Sequence, residues 1–302
     1  MNKSSSEARL STSDSPANVG VVVVTYESQG TIERCLESLR RHEPSLPVAV
    51  VDNNSPSGPP AVGDFKLIQS PTNTGYGGGC NLGSRAPSIA GCDYWMFLNP
   101  DVELAGPSIS QLAAHMSTMP GCGAATGHVV NRDGERMATG WGKVSVARVA
   151  WALSGLTFRR ARFVIGRFVT GGPFTSGATM AHERLEVSGF MLGGAMMVRA
   201  STFSEVGGFD EGFFMSWDDI DFGYRLRAAG WELWALPTDP AVHDGGASSA
   251  GVSALQRREW YLAGLERFAR KHLSLWRRRV LIFVALAVPA LTMRPFRPNV
   301  PH

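Results

Sequence analysis

The chain has 302 residues, 44% hydrophobic and 18% charged, which excludes a disordered protein and suffices to bury a core in one large domain or two small ones. A formal net charge of +3 is too slight to argue for a nucleic-acid partner, so any basic function must be local. The four cysteines (Cys35, Cys80, Cys92, Cys122) show neither a CxxC pair nor zinc spacing and read as reduced cytosolic thiols.

Residues 1–18 are serine-rich, lack the apolar stretch of an export signal, and are expected to be a disordered tail. Residues 19–24 form a β-branched, wholly apolar run, read as a buried, central parallel strand that ends in Thr25-Tyr26-Glu27. Residues 31–41 space Ile32, Leu36 and Leu39 as a helix does, and 48–51 repeat the buried-strand pattern before Asp52-Asn53-Asn54-Ser55. Strand, helix, strand with polar residues at each carboxyl edge predicts an α/β fold, and open parallel sheets bind ligands at that edge.

A third strand is expected over 66–69, followed by Asn73-Thr74-Gly75-Tyr76-Gly77-Gly78-Gly79-Cys80-Asn81-Leu82-Gly83. So many glycines let backbone approach a ligand closely and leave amides free for a phosphate; a plain loop is the alternative. A dinucleotide fingerprint would instead follow the first strand, where Thr25-Tyr26-Glu27-Ser28 stands. A fourth strand over 94–98 runs into Asn99-Pro100-Asp101. A carboxylate at a strand tip, stiffened by proline, is placed to hold a hard divalent cation, or is a turn aspartate ahead of a helix.

Between Glu135 and Glu183 there is no acid, while Arg148, Arg159, Arg160, Arg162 and Arg167 alternate with aromatics from Trp141 to Phe168. That stretch reads as a solvated basic loop or as a surface for acidic lipid or a pyrophosphate-bearing acceptor. An apolar strand over 193–198 and a turn at Gly207-Gly208 precede Trp217-Asp218-Asp219-Ile220-Asp221-Phe222, at the start of a helix closed by Gly230. Asp218 as N-cap with Asp221 explains one or two of these carboxylates; three in four residues ask for a catalytic or ligand role. A strand over 231–236 leads to His243, a candidate for metal or phosphate contact or a structural histidine, and 257–272 read as a basic amphipathic helix. The apolar run 280–293 contains Pro289, is bracketed by Arg277-Arg278-Arg279 and Arg294, and falls short of the roughly 18–20 residues a bilayer requires. It is expected to lie in the interface of an anionic leaflet, the alternative being a helix packed on the domain or on a partner subunit.

Taken together, several motifs resemble one family: Val-Thr-Tyr at 24–26, Val-Asp-Asn-Asn-Ser at 51–55, Asn-x-Gly-x-Gly at 73–77 with Asn81, Leu-Asn-Pro-Asp at 98–101, Gly-Gly-Phe-Asp-Glu at 207–211, Asp-Asp-Ile-Asp-Phe at 218–222 and His-x-Gly-Gly-Ala-Ser at 243–248. The chain resembles the inverting, family-two nucleotide-sugar glycosyltransferases of GT-A fold, most of all bacterial rhamnosyltransferases of surface-polysaccharide assembly. The resemblance implies a mostly parallel sheet flanked by helices over 19–275, while 276–302 are read from their own residues as a membrane-associating tail. It implies that Thr25, Tyr26 and Glu27 line the nucleotide pocket, that Asp52 holds the base, and that Asn73, Gly75 and Asn81 wall the nucleoside and sugar. Asn99 and Asp101 stand at the family's Asp-x-Asp metal motif, with Asn99 in place of the first acid; His243 matches a position near metal or diphosphate, and Ser248 joins the donor set. Asp219 is the first choice of catalytic base and Asp218 the second. The expected activity is transfer of a sugar, L-rhamnose from its dTDP form (a UDP-sugar being the other donor considered), with Mg²⁺ or Mn²⁺, to a glycan or polyprenyl-diphosphate-linked acceptor at the inner face of the cytoplasmic membrane. A non-catalytic sugar-nucleotide scaffold and a sugar nucleotidyltransferase are the rival readings, and an oligomer stays open.

Overall fold

The computed structural model describes residues 18–144, 184–191, 193–243 and 252–292. The strands in chain order are β1 (Val19–Thr25), β2 (Val48–Asp52), β3 (Lys66–Gln69), β4 (Tyr94–Leu98), β5 (Val102–Leu104), β6 (Cys122–Thr126), β7 (Val129–Val130), β8 (Gly140–Trp141), β9 (Leu185–Glu186), β10 (Phe190–Met191), β11 (Ala195–Arg199), β12 (Glu232–Ala235) and β13 (Ala241–His243). The helices are α1 (Ile32–His42), α2 (Gly75–Ser84), α3 (Ser108–Ser117), α4 (Ala200–Glu205), α5 (Asp218–Ala228), α6 (Ala254–His272) and α7 (Leu275–Thr292). Among the described residues they build an eight-stranded sheet in the order β3-β2-β1-β4-β11-β6-β12-β9 and a small sheet, β5-β13-β7.

β1 sits inside the sheet because its valines are apolar on both faces. Val19, Val21 and Val23 meet Ile32, Leu36 and Leu39 of α1, while Val22 and Val24 meet Cys80, Phe97 and the opposite layer. Every residue of β1 is buried, as expected of a parallel strand covered by helices on both sides. β1 pairs in parallel with β2 and β4, and β2 with β3, so four strand ends open on one edge. β11 then runs antiparallel to both β4 and β6.

The glycine-rich stretch departs from the loop expected of it: from Gly75 it is the helix α2, whose amides beyond the first turn serve helical bonds, while Gly75 N donates to Asn73 Oδ1. Its glycines are there for packing. A Cβ on Gly79 would lie 2.5 Å from Val24 Cγ1, and one on Gly83 2.3 Å from Val22 Cγ1, so α2 settles directly on the sheet. Asp218 is likewise not the N-cap of α5; Trp217 takes that place in the left-handed region at φ 72°, with Ser216 at φ 64° before it. Asp101 precedes the strand β5, not a helix.

α6 and α7 lie together, with Leu281 buried among Phe213, Trp217, Leu265 and Phe268. Among the described residues no helix is long and apolar enough to cross a membrane. Ser248, the arginines from Arg148 to Arg167, residues 1–17 and the terminal 293–302 lie outside the described residues.

Candidate active site

The carboxyl edge of the parallel strands gathers the first group of predicted residues. β1 and β2 are in register with Thr25 opposite Asp52, so the two side-chain positions end the strands side by side. Asp52 is buried and its Oδ1 accepts from Ser55 Oγ at 2.6 Å, which closes the turn after β2. Glu27 is exposed; its carboxylate accepts from the backbone N and the Oγ of Ser57, which hold it below the usual range and staple the two loops together. Asn53, which sequence reasoning passed over, is the hub. Its Nδ2 donates to Asn73 Oδ1 and to Gly75 O, both at 2.9 Å, and its Oδ1 accepts from Thr74 N at 3.1 Å. Asn73 and Gly75 are therefore fixed to the end of β2. Asn81 is committed elsewhere: its Nδ2 donates to Phe209 O and Glu211 Oε1, and its Oδ1 accepts from Phe209 N, all at 2.9 Å. It holds the loop ahead of α5.

The second group forms where β4 ends. β13 pairs with β5 so that His243 lies opposite Val102, which brings its ring to Asp101. His243 Nε2 is 3.2 Å from Asp101 Oδ1, while Asn99 Nδ2 is 3.5 Å from the same ring nitrogen. Asp101 is buried, yet its Oδ1 makes no hydrogen bond with any described group. No three His, Cys, Asp or Glu residues come together as a metal cluster among the described residues. The donor set nevertheless suits a divalent cation. It offers an anionic oxygen lacking a hydrogen bond, an imidazole nitrogen, and an amide whose half-turn presents Asn99 Oδ1; a ligand's diphosphate would complete the shell.

The acids of α5 form the third group, and each has a different surrounding. Asp219, partly covered, accepts from Gly193 N at 3.1 Å and from Ile220 N at 2.7 Å. Asp218 is buried against the first turn of α2: its Oδ2 has no hydrogen-bond partner, and a Cβ on Gly77 would lie 3.5 Å from it. Burial raises both carboxyls above the ordinary range, and the Asp219 charge raises Asp218 further. Asp221 is fully buried and structural. Burial acts to raise it, but bonds from His272, Lys271 and Arg225 at 2.7–2.8 Å outweigh that and hold it low.

Gly193 and Gly194 join the second group to the third, and sequence reasoning gave them no site role. Gly193 N holds Asp219, Gly193 O accepts from Tyr76 Oη at 2.6 Å, and Gly194 O accepts from Asn99 N at 2.8 Å. A Cβ on Gly194 would lie 3.1 Å from His243 Cε1 and 3.3 Å from Asn99 Nδ2, so a side chain there would crowd the site. One dipeptide thus sets Asp219 and the Asn99–Asp101–His243 group beside each other. Tyr76, next to Gly75, links them onward to Asn53 and β2.

A mixed sheet whose parallel strands gather carboxylates and amides at one carboxyl edge defines an α/β protein with a ligand site at that edge. The family model Glycosyl transferase family 2 matches residues 20–203, and the chain belongs to that family: it is a nucleotide-sugar-dependent glycosyltransferase. It is 31% identical over 279 residues to a Mycobacterium tuberculosis N-acetylglucosaminyl-diphospho-decaprenol L-rhamnosyltransferase, covering 85% of this chain and 86% of that one. It is 47% identical over 51 residues to the Escherichia coli rhamnosyltransferase WbbL, 17% of this chain and 19% of that one. Among solved structures, GalNAc-T7 with UDP, GalNAc and Mn²⁺ aligns with a TM-score of 0.53 at 15% identity, over 94% of this chain but only 59% of that one. The Pyrobaculum calidifontis mannosyltransferase with GDP-Man and Mn²⁺ aligns at 0.52 and 14%, over 93% and 75%. These two likenesses carry the GT-A fold alone.

Proposed function

We propose that this chain transfers L-rhamnose from dTDP-rhamnose, with inversion, to a glycan linked to polyprenyl diphosphate at the inner face of a bacterial cytoplasmic membrane. The sugar and acceptor class follow the mycobacterial relative, whose similarity runs through most of both chains. The observation that carries the chemistry is the Gly193–Gly194 bridge, which sets a basic carboxylate next to the Asn99–Asp101–His243 group.

In this reading Thr25, Tyr26, Asp52, Asn73 and Gly75 receive the nucleoside at the edge of β1 and β2. The acceptor hydroxyl attacks the anomeric carbon from the face opposite the diphosphate. The new C–O bond forms as the bond to the diphosphate oxygen breaks, and the hydroxyl proton passes to Asp219. A positioned carboxylate in that role contributes about 10²–10⁴-fold. Gly193 N and Ile220 N fix the direction of the Asp219 carboxylate, and its raised proton affinity suits a base working near neutrality. Asp101, His243 and Asn99 would hold Mg²⁺ or Mn²⁺, which supplies positive charge against the departing diphosphate.

A panel of dTDP-, UDP- and GDP-sugars, each with and without Mg²⁺ or Mn²⁺, tests this by ligand-induced thermal stabilisation. A ligand at one hundred times its Kd stabilises by about 2.7 kcal/mol, several degrees for a domain of this size. dTDP-rhamnose is expected to give the largest shift, and the shift is expected to grow with the cation. A panel in which a UDP- or GDP-sugar dominates overturns the donor, and one in which none shifts the transition overturns the whole reading.

A further inference from the structure

The exposed large hydrophobic side chains of the described residues are all on the last two helices: Leu255 on α6, and Leu275, Trp276, Val280 and Phe283 on α7. Trp276, Val280 and Phe283 follow the i, i+4, i+7 spacing of a single helical stripe. The opposite face of α7 is used internally, with Leu281 buried and Arg278 donating to Glu266 of α6. The outer stripe is therefore an apolar face left over after the fold is complete.

Its charges are one-sided. No acidic residue occurs in 267–302. Cations of α6 are paired with acids of the fold, Arg267 with Asp210, Lys271 with Asp210 and Asp221, and Arg270 with Glu266. Arg277 and Arg279 flank the stripe, exposed, with no acid against them among the described residues. A second copy of this chain fits such a face badly, because a two-fold contact would set arginine against arginine with no acid in the segment to separate them. A spanning helix does not fit either. The apolar run 280–293, at about 1.5 Å per residue, reaches roughly 20 Å against a hydrocarbon core of about 30 Å. An apolar stripe edged by arginines that no described acid faces, with Arg277 over the Trp276 ring at 5.5 Å, matches the boundary of an anionic bilayer.

We propose that the α6–α7 hairpin seats the chain on an anionic phospholipid surface, Trp276, Val280 and Phe283 entering the headgroup boundary while Arg277 and Arg279 meet lipid phosphates. The hairpin is fastened to the helix that carries Asp219. Trp217 packs against Tyr261 and Phe268 with ring centroids 5.4 and 5.2 Å away, and Asp221 of α5 is bonded to Lys271 and His272. Seating the hairpin therefore fixes the height of the site above the bilayer. The idea deepens the lipid-linked acceptor reading and rests on it for its purpose, while the surface contact is measurable without any sugar.

The test is co-sedimentation of the full chain with vesicles of phosphatidylglycerol and phosphatidylcholine, and with phosphatidylcholine alone. Binding is expected to the anionic vesicles, to weaken with salt, and to fall at least about tenfold, the change that 1.4 kcal/mol corresponds to, in Trp276→Ser/Phe283→Ser. The charge variant Arg277→Gln/Arg279→Gln is expected to lose the preference for anionic over neutral vesicles. Both variants should keep the thermal stabilisation by nucleotide-sugar, which certifies their fold; should the apolar variant fail that check, the charge variant decides. Wild-type protein that ignores anionic vesicles, or variants that bind as wild type does, overturn the proposal. So does a wild-type dimer that the apolar variant turns into a monomer, since the face would then belong to a second copy. Vesicle binding without dTDP-rhamnose binding would leave the hairpin standing and sink the proposed donor, and the reverse result would sink the hairpin alone.

Discussion

Along the edge of β1 and β2, polar side chains are answered by neighbours: Asp52 by Ser55, Glu27 by Ser57, and Asn53 by Asn73, Thr74 and Gly75, with Thr25 Oγ1 the exception. At the end of β4 and the start of α5, buried oxygens of Asp101 and Asp218 have no hydrogen-bond partner among the described residues; left-handed residues occur on both edges, Glu27 and Asn54 on the first and Ser216 and Trp217 on the second. An unsatisfied buried group costs about 1–3 kcal/mol, so the contrast between the edges lies in their side chains and not in their backbone. The first edge is a finished template that keeps its shape when empty. The second keeps buried carboxyl oxygens without hydrogen bonds, which a ligand, a cation or a proton would answer.

Substitutions should separate the two edges by what they disturb. Asp219→Asn keeps the shape and removes the base, so turnover should fall by about 10²–10⁴-fold while donor-induced thermal stabilisation persists. An Asp219→Asn enzyme with wild-type kcat would end the assignment of the base. Asp101→Asn should weaken the enhancement of nucleoside-diphosphate binding by Mn²⁺, read by calorimetry, by about tenfold or more. Equal enhancement in both proteins would show that the cation sits elsewhere. On the template edge, Asn53→Ala releases Asn73 and Gly75. Donor affinity should drop by roughly tenfold, one or two hydrogen bonds' worth, with kcat at saturating donor little changed.

Gly83→Ala tests whether the template edge depends on how α2 is seated. The new methyl would sit 2.3 Å from Val22 Cγ1 and 3.0 Å from Val51 Cγ2, so α2 must lift from the sheet. Overpacking of this kind costs about 1–3 kcal/mol, which lowers the melting temperature by several degrees. An unchanged transition would mean that α2 does not need that contact.

Much of the first edge is legible in sequence, because buried parallel strands announce themselves as uninterrupted valines followed by polar residues. Val19–Thr25 and Val48–Asp52 are cases in point. The glycines of 75–83 mislead for a physical reason: absence of a Cβ serves close helix–sheet contact as well as it serves a phosphate loop, and only the neighbours Val22 and Val24 decide which. The crowd of acids at 218–221 is visible as a crowd, but its division of labour is not. Asp221 is spent on Lys271 and His272, some fifty residues away, and Asp218 on the interior beside Gly77. Gly193 and Gly194 carry no side chain to signal a role; their backbone atoms do the joining.

The smallest effect is the one most particular to the second edge. Asp218 is buried, its carboxyl is raised by that burial and by Asp219, and among the described residues no cation faces it; Tyr76 and Cys80 of α2 are its other titratable neighbours. A carboxyl with a raised folded-state pKa binds its proton more tightly folded than unfolded. Stability then falls as pH climbs from the unfolded value towards the folded one, because the native state must bury a charge that the unfolded chain leaves in water. Asp218→Asn removes that charge. The variant should match wild type in acid and melt higher by a few degrees at alkaline pH, the gap opening with pH in a scan of thermal transitions. Its kcat profile should keep its acid limb, because Asp218 is protonated where Asp219 titrates and the asparagine that replaces it is neutral as well. A gap that closes as pH rises, or an acid limb that moves to lower pH, would mean that Asp218 is charged in the native protein.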